Sequence, residues 1–122
     1  MTFSSIVDHH WANPRNMGCP ERFDAKGVAG DPSAGPFMIV YLTIAGDRIE
    51  SAAFETYGCG AAIAAGSLTT ELIKGRPLAD AARVDGGVVR TLLGGLPLGK
   101  EHCADLAAVA LSKALKSIPQ QG

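Results

Sequence analysis

Apolar residues near the end of the chain recur with the period of an α-helix, and this pattern constrains the fold more than any other. They follow one another in alternating steps of three and one, and the lysines of the segment lie off this stripe. The stripe consists of Cys103, Leu106, Ala107, Ala110, Leu111, Ala114, Leu115 and Ile118. Because an amphipathic helix is stable only against another apolar surface, the sequence predicts a long helix packed on a core.

A β-hairpin in the middle of the chain is expected to provide that surface. The run from Phe37 to Ile44 is apolar, β-branched and aromatic, residues 45–48 form a turn, and a second run covers residues 49–57. The first strand is expected to be buried on both faces. The stretch from Gly18 to Pro36, rich in glycine and proline, is either a loop or a short edge strand with bulges.

Further helices are predicted on both sides of the hairpin. An alanine-rich run after Cys59 has helical spacing and ends at Lys74 and Gly75, and two shorter helices are expected within 76–84 and 86–95. The simplest architecture is an α+β domain covering residues 1–122, with an antiparallel sheet backed by helices on one side.

A short helix is also predicted at the start of the chain. It runs from Ser5 to Trp11 and ends before Pro14, where a helix cannot continue. We interpret His9 and His10 as surface histidines and Trp11 as an indole that contributes to packing.

Charge and hydropathy exclude several classes of function. The net charge of the 122-residue chain is -1 and its basic residues are scattered, which argues against nucleic acid as a partner. The longest apolar run, Phe37 to Leu42, is too short to span a bilayer, and the segment MTFSSIVDHHW does not resemble a signal peptide. We therefore expect a cytoplasmic protein that binds neither nucleic acid nor a membrane.

Three cysteines, Cys19, Cys59 and Cys103, are the first candidates for chemistry. Their odd number and wide spacing argue against a disulfide framework. Cys59 lies between Gly58 and Gly60, directly before a predicted helix, where unpaired backbone N–H groups favour a thiolate and the glycines leave room for a bulky group. The alternative is a small buried residue at a tight turn.

A second group of reactive side chains lies at the start of the last helix, where Lys100, His102 and Cys103 follow within one turn. Lys100 and the helix start are expected to lower the pKa of Cys103, although Cys103 also fits the apolar stripe as an ordinary core residue. If the two helix starts converge, Cys59, His102 and Cys103 offer ligands of the kind that suits zinc or iron-sulfur iron.

Three segments in a fixed order carry a resemblance. DHHWANPRNMG is similar to D-H-Y-x-N-P-R-N-x-G, FETYGCGAAIAAGS to F-x-T-x-G-C-G-x-A-I-A-x-x-S, and LPLGKEHCADLAAVAL to L-P-P-V-K-x-H-C-x-x-L-A-x-x-A-L. In these blocks the chain resembles the IscU/NifU N-terminal family of iron-sulfur cluster assembly scaffolds, over residues 6–115. The resemblance implies a three-stranded antiparallel sheet with helices packed around it, and a protein that is not an enzyme.

The same resemblance implies a site. It places Cys59, His102 and Cys103 at ligand positions for iron or a [2Fe-2S] cluster. Cys103 would accept sulfur from a cysteine desulfurase, assisted by Lys100, and acceptor apoproteins would receive the product.

The chain departs from the family in one ligand block. The family has G-x-P-x-C-G-D where this sequence has GDPSAGP, so Ala34 replaces a cysteine and Pro36 replaces an aspartate. Because a [2Fe-2S] cluster needs four protein ligands, one is missing. Cys19 and Asp31 are the candidates for a fourth ligand, and an open three-ligand site with water is the third possibility. LPLGK in place of L-P-P-V-K counts against a chaperone contact.

Three functions remain open at this stage. The first is a variant scaffold that takes sulfur at Cys103 and binds iron or a cluster. The second is a paralogue with a zinc site or a persulfide on Cys103 that modulates a desulfurase. The third is a thiol enzyme in which Cys59 or Cys103 is the nucleophile and His102 is the base. The argument against it is that His102 and Cys103 are neighbours about 100° apart on a helix, so their side chains are expected to be poorly aimed at each other.

Overall fold

The computed structural model describes residues 4–96 and 99–118, so the expectation about the altered loop at Pro97 and Leu98 lies outside the described residues. Within them, no helix is long and apolar enough to cross a membrane. The elements in chain order are α1 (Ser5–Ala12), β1 (Ala25–Gly30), β2 (Phe37–Ala45), β3 (Arg48–Tyr57), α2 (Gly60–Ile73), α3 (Leu78–Ala81), α4 (Gly86–Leu92) and α5 (His102–Lys116). They confirm the α+β class, the hairpin and the predicted helices.

The three strands form one antiparallel sheet in the order β1-β2-β3. Of the two alternatives for the segment before the hairpin, the edge strand is therefore correct. Gly30 pairs with Phe37, and Phe37 pairs with Tyr57. The turn after β1 and the end of β3 consequently lie at the same end of the sheet.

One face of the sheet is covered by α2 and α5. The strand side chains buried there include Ala25, Ala29, Met38, Val40, Leu42, Ala52 and Phe54. Two glycines allow the layers to approach closely. A Cβ at Gly27 would overlap the backbone of α5 at Ala110 and Ala114, and a Cβ at Gly66 would overlap the ring of Phe54. The backbone of β1 therefore packs directly on the backbone of α5, and the ring of Phe54 packs directly on the backbone of α2.

The opposite face of the sheet is less covered than expected. Tyr41 is buried, but Phe37, Ile39 and Thr43 on the same side of β2 are only half-buried. The prediction that β2 is buried on both faces is therefore wrong for most of that side. Cover comes from the segment before β1, where the ring of Phe23 lies 4.9 Å from that of Tyr41.

Candidate functional site

The starts of α2 and α5 converge beside the end of the sheet. Cys59 is the N-cap residue of α2, and Cys103 is the second residue of α5. Their Sγ atoms lie 4.0 Å apart. Cys103 packs with Ala61 and Ala62 in a small buried cluster that Cys59 borders. The sequence left this convergence open, and the packing of α5 beside α2 produces it.

Cys59 has the environment of a reactive thiol. Its burial alone would raise the pKa, but the backbone N–H groups of Ala62 and Ala61, which face the sulfur without forming a capping hydrogen bond, lower it. The neighbouring Cys103 thiol and the charge of Lys100 act in the same direction, and the pKa of Cys59 ends below its ordinary value. This direction agrees with the effect expected of a helix start.

Cys103 has the opposite environment. Its side chain is only 2% exposed, and burial together with the adjacent Cys59 raises its pKa to about 12, against which Lys100 acts only in part. The prediction that Lys100 and the helix start lower this pKa is therefore wrong. The physical reason is that Cys103 lies on the apolar stripe of α5, where desolvation of a thiolate outweighs nearby charge.

His102 is exposed, yet it contacts the buried thiol. Its Nε2 atom lies 3.7 Å from Sγ of Cys103. The prediction that consecutive helix residues are poorly aimed at each other is wrong here. At the first residue of a helix no preceding turn restricts the side chain, so the imidazole can lie back over its neighbour.

The residues at this centre do not yet form a closed metal site. Across residues 4–96 and 99–118, no group of three or more His, Cys, Asp or Glu side chains is arranged so that it could hold a metal ion. The contacts present are pairwise, from Cys59 to Cys103 and from Cys103 to His102.

Asp31, one candidate for a fourth ligand, lies in the turn after β1 at the same end of the sheet as Cys59. Its Oδ1 atom accepts hydrogen bonds from the hydroxyl of Ser33 at 2.6 Å and from the backbone N–H of Ser33 at 2.9 Å. These two bonds lower the pKa of the Asp31 carboxyl, so the side chain is a carboxylate that is already hydrogen-bonded within its own turn. Ala34 belongs to the same turn through a backbone bond from its N–H to the Asp31 carbonyl.

Cys19, the other candidate, lies beside the less covered face of the sheet. Burial, the hydrogen bond to Glu55 and the nearby Cys19 thiol raise the pKa of Tyr41, so Cys19 is a neighbour of that phenol. Its own Sγ lies 3.6 Å from the Pro20 carbonyl. In the described part of the chain, neither Cys19 nor Asp31 forms a hydrogen bond with the two thiols of the centre.

Trp11 lies beside this centre, whereas its sequence context predicted only a packing role. A Cβ at Gly60 would overlap its indole, so Trp11 fills the space above that glycine. The expectation that Gly60 leaves room for a bulky group is therefore wrong. The indole remains 49% exposed. α1 therefore covers the first residue of α2, directly beside Cys59.

His10 is buried, and the interpretation of it as a surface residue is wrong. Its Nδ1 atom lies 2.7 Å from the hydroxyl oxygen of Ser67, which also accepts the backbone N–H of Arg15 at 2.9 Å. Burial lowers the pKa of His10. Because Ser67 already accepts one bond, its hydroxyl proton is free to donate to a neutral imidazole. This bond attaches α1 to α2.

The fold and this centre define a small α+β domain with a cysteine pair and a histidine at two helix starts. The chain belongs to the NifU-like N terminal domain family, which it matches over residues 2–121. The resemblance drawn from the three sequence blocks is thereby confirmed.

Named relatives support the same assignment. Over 113 residues, the chain is 42% identical to "Iron-sulfur cluster assembly scaffold protein IscU 1" of Archaeoglobus fulgidus, which covers 93% of this chain and 74% of the relative. It is 38% identical to "Iron-sulfur cluster assembly scaffold protein IscU" of Haemophilus influenzae, covering 94% of each.

Solved structures share the fold. A NifU-like protein (N-terminal) from Brucella abortus matches with a TM-score of 0.69 at 18% identity, over 94% of this chain and 92% of the other. A putative assembly scaffold protein from Fervidobacterium islandicum matches with a TM-score of 0.63 at 19% identity, over 93% of each. These likenesses confirm the three-stranded antiparallel sheet with its helices.

Proposed function

We propose that this protein is a non-enzymatic scaffold on which an iron-sulfur cluster is assembled for acceptor apoproteins. Membership of the family and the names of the relatives support this role. The observation that carries it is the meeting of Cys59, Cys103 and His102 at two helix starts, with an Sγ–Sγ distance of 4.0 Å. Iron and sulfur are the cargo of this site.

Sulfur would come from a cysteine desulfurase. Cys103, the acceptor implied by the family resemblance, is 2% exposed, whereas Cys59 is half-buried and easier to reach. A donor therefore meets Cys59 first, and the thiol of Cys103 lies in contact with it. Lys100 assists because its positive charge acts on both thiols.

Iron, or a [2Fe-2S] cluster, would be held by Cys59, His102 and Cys103. Ligand atoms that share one tetrahedral ion at about 2.0–2.3 Å lie roughly 3.3–3.8 Å apart. Two of the three ligand pairs, at 4.0 Å and 3.7 Å, are near this range, and the set would close if Cys59 and His102 also came together. Asp31, at the same end of the sheet, is better placed as a fourth ligand than Cys19, which lies beside Tyr41.

Anaerobic reconstitution tests this function. The protein is incubated with iron, cysteine and a cysteine desulfurase, and its absorption spectrum and its iron, sulfide and zinc contents are measured. We expect iron and sulfide in the wild type, loss of both in Cys103→Ser and Cys59→Ser, and no change in the control Cys19→Ser. Zinc without iron or sulfide would instead indicate the non-scaffold paralogue, and no metal at all would overturn the proposal.

The fourth ligand is tested by Asp31→Asn, which keeps an oxygen that can accept the bonds from Ser33 but removes the charge. If Asp31 binds iron, this variant should hold less iron and lose its cluster faster on exposure to a chelator. A matched variant, Ser33→Ala, removes one of the two hydrogen bonds that hold the turn but keeps the carboxylate itself, and so separates the two effects. Unchanged iron retention in Asp31→Asn would remove Asp31 from the ligand set.

A further inference from the structure

The paired thiols can do more than hold cargo. Sγ of Cys59 and Sγ of Cys103 lie 4.0 Å apart, which is van der Waals contact between two sulfurs, and a disulfide bond is about 2.05 Å long. Both are free thiols. A shift of about 2 Å, divided between two side chains at helix starts, would therefore join them.

The position of this contact brings the free thiol to the inner sulfur of a persulfide. In a persulfide, the inner sulfur is the one bonded to Cβ, and it occupies the former thiol position. Because the two Sγ atoms of Cys59 and Cys103 are in direct contact, the free thiol lies against the inner sulfur of its partner. This holds whichever of the two cysteines carries the persulfide. Attack at the outer sulfur only moves it between the cysteines, whereas attack at the inner sulfur expels it.

We infer that Cys59 and Cys103 form an internal two-electron reductant, which converts sulfur carried as a persulfide on one of them into sulfide by forming an intrachain disulfide. This inference rests on the proposed function for its source of sulfur. The pair itself would supply the electrons that turn delivered sulfur into the sulfide of a cluster.

The step balances without an external reductant. The thiol of one cysteine forms a bond to the inner sulfur of the other, and the bond between the inner and outer sulfurs breaks. The outer sulfur leaves with the electron pair and takes up the proton of the attacking thiol, giving one disulfide and one hydrogen sulfide. The outer sulfur is reduced and the two cysteine sulfurs are oxidised. A second round requires an external thiol, such as reduced glutathione, to open the disulfide.

The remaining cysteine of the chain does not compete for this reaction. Cys19 is exposed beside Tyr41 and Pro20, and among the described residues its thiol has no contact with the other two. The product is therefore a single linkage, between residues 59 and 103. Cys19→Ser is for the same reason a matched control, since it removes a thiol without touching the pair.

The test starts from the reduced protein under anaerobic conditions. The protein is treated briefly with inorganic polysulfide, desalted, and followed over time by intact mass, sulfide assay and peptide mapping, without added reductant. We expect one sulfide released for each Cys59–Cys103 disulfide formed, in the wild type and equally in Cys19→Ser. Cys59→Ser and Cys103→Ser should instead keep the added sulfur and release sulfide only when dithiothreitol is added.

Several results would overturn the inference. These are a wild-type persulfide as long-lived as that of Cys59→Ser and Cys103→Ser, sulfide release that persists in those two variants, or sulfur that loads on neither Cys59 nor Cys103. Circular dichroism of each variant, together with a third variant, Cys103→Ala, shows whether retention of sulfur reflects the lost thiol or a lost fold.

The two proposals fail separately. If desulfurase-fed reconstitution builds a cluster while polysulfide-loaded protein keeps its sulfur, the internal reductant is wrong and the scaffold stands. If loaded protein releases sulfide with formation of the disulfide but no cluster is ever built, the reductant stands and the scaffold is wrong.

Discussion

Two thiols in contact differ widely in how the protein surrounds them. Cys59 borders solvent at a helix start and has a lowered pKa, while Cys103 lies on the apolar stripe of α5 and has a pKa raised to about 12. Since the thiolate is the nucleophile, Cys59 is expected to be the reactive thiol, and Cys103 is expected to be shielded from reagents in solution.

This difference predicts an order of alkylation. With limiting iodoacetamide near neutral pH, Cys59 should be modified much faster than Cys103, which reacts at appreciable rate only in denaturant. Lowering the pH should slow Cys59 less than it slows a free cysteine, because its pKa is lowered. Peptide mass spectrometry measures both rates, with Cys19 as the exposed internal reference. Equal rates at residues 59 and 103 would contradict the assignment.

The buried histidine predicts a dependence of stability on pH. The pKa of His10 is lowered from 6.5, mainly by burial, so the folded protein resists a proton that the unfolded chain accepts. The free energy of unfolding should therefore fall as the pH drops below about 6.5, and it should be insensitive to this group above that value. Urea unfolding at a series of pH values measures the slope.

The control for this prediction is the neighbouring exposed residue. His10→Gln should flatten the decline in stability toward acid pH, whereas His9→Gln should leave it in place. A wild-type profile that the His10 variant does not alter would show that the bond to Ser67 does not depend on a neutral imidazole.

At the level of the elements, the approach of β1 to α5 depends on a missing side chain. A Cβ at Gly27 would overlap the backbone of Ala110 and Ala114, which cannot move aside as a side chain can. Gly27→Ala should therefore lower the free energy of unfolding by about 3 kcal/mol or more, the upper part of the range for overpacking. Gly87→Ala is the matched control, because a Cβ at Gly87 meets only the ends of the Asp85 and Arg90 side chains. This variant should change stability by less than about 1 kcal/mol.

The same variant has a functional consequence, since α5 carries Cys103 at its second residue. If Gly27→Ala moves the helix away from the sheet, disulfide formation between Cys59 and Cys103 should slow as well. A Gly27→Ala protein of wild-type stability would show that the contact of β1 with α5 can open without cost.

At the level of the whole molecule, the cysteine pair joins parts of the chain that are 44 residues apart in sequence. Closing a loop of that length stabilises a protein by up to about 4 kcal/mol in the chain-entropy description. Oxidation with hydrogen peroxide should therefore raise the thermal unfolding midpoint of the wild type. Cys103→Ser should show no such increase, and Cys19→Ser should behave like the wild type. A lower midpoint in the oxidised wild type would mean that the linkage strains the native fold.

Local patterns in the sequence determined much of this protein. The alternation of apolar residues along α5 and the β-branched run of β2 specify helix and strand through contacts within a few residues, and these elements were predicted correctly. The three ordered motifs identified the family for a similar reason, because each motif is a pattern of residues within one short segment of the chain. The edge strand β1 was left open because its glycines and prolines suit a loop as well as a strand.

The tertiary structure alone decided the environments of the reactive groups. The 4.0 Å between Cys59 and Cys103, the burial that raises the pKa of Cys103, the burial of His10 against Ser67 and the indole of Trp11 above Gly60 all involve elements distant in sequence. A pKa depends on which groups surround a side chain and how much water they displace, and neighbours in sequence do not determine that. The sequence therefore predicted which residues carry the chemistry, and packing determined which of the two thiols has a lowered pKa and which is buried with a raised one.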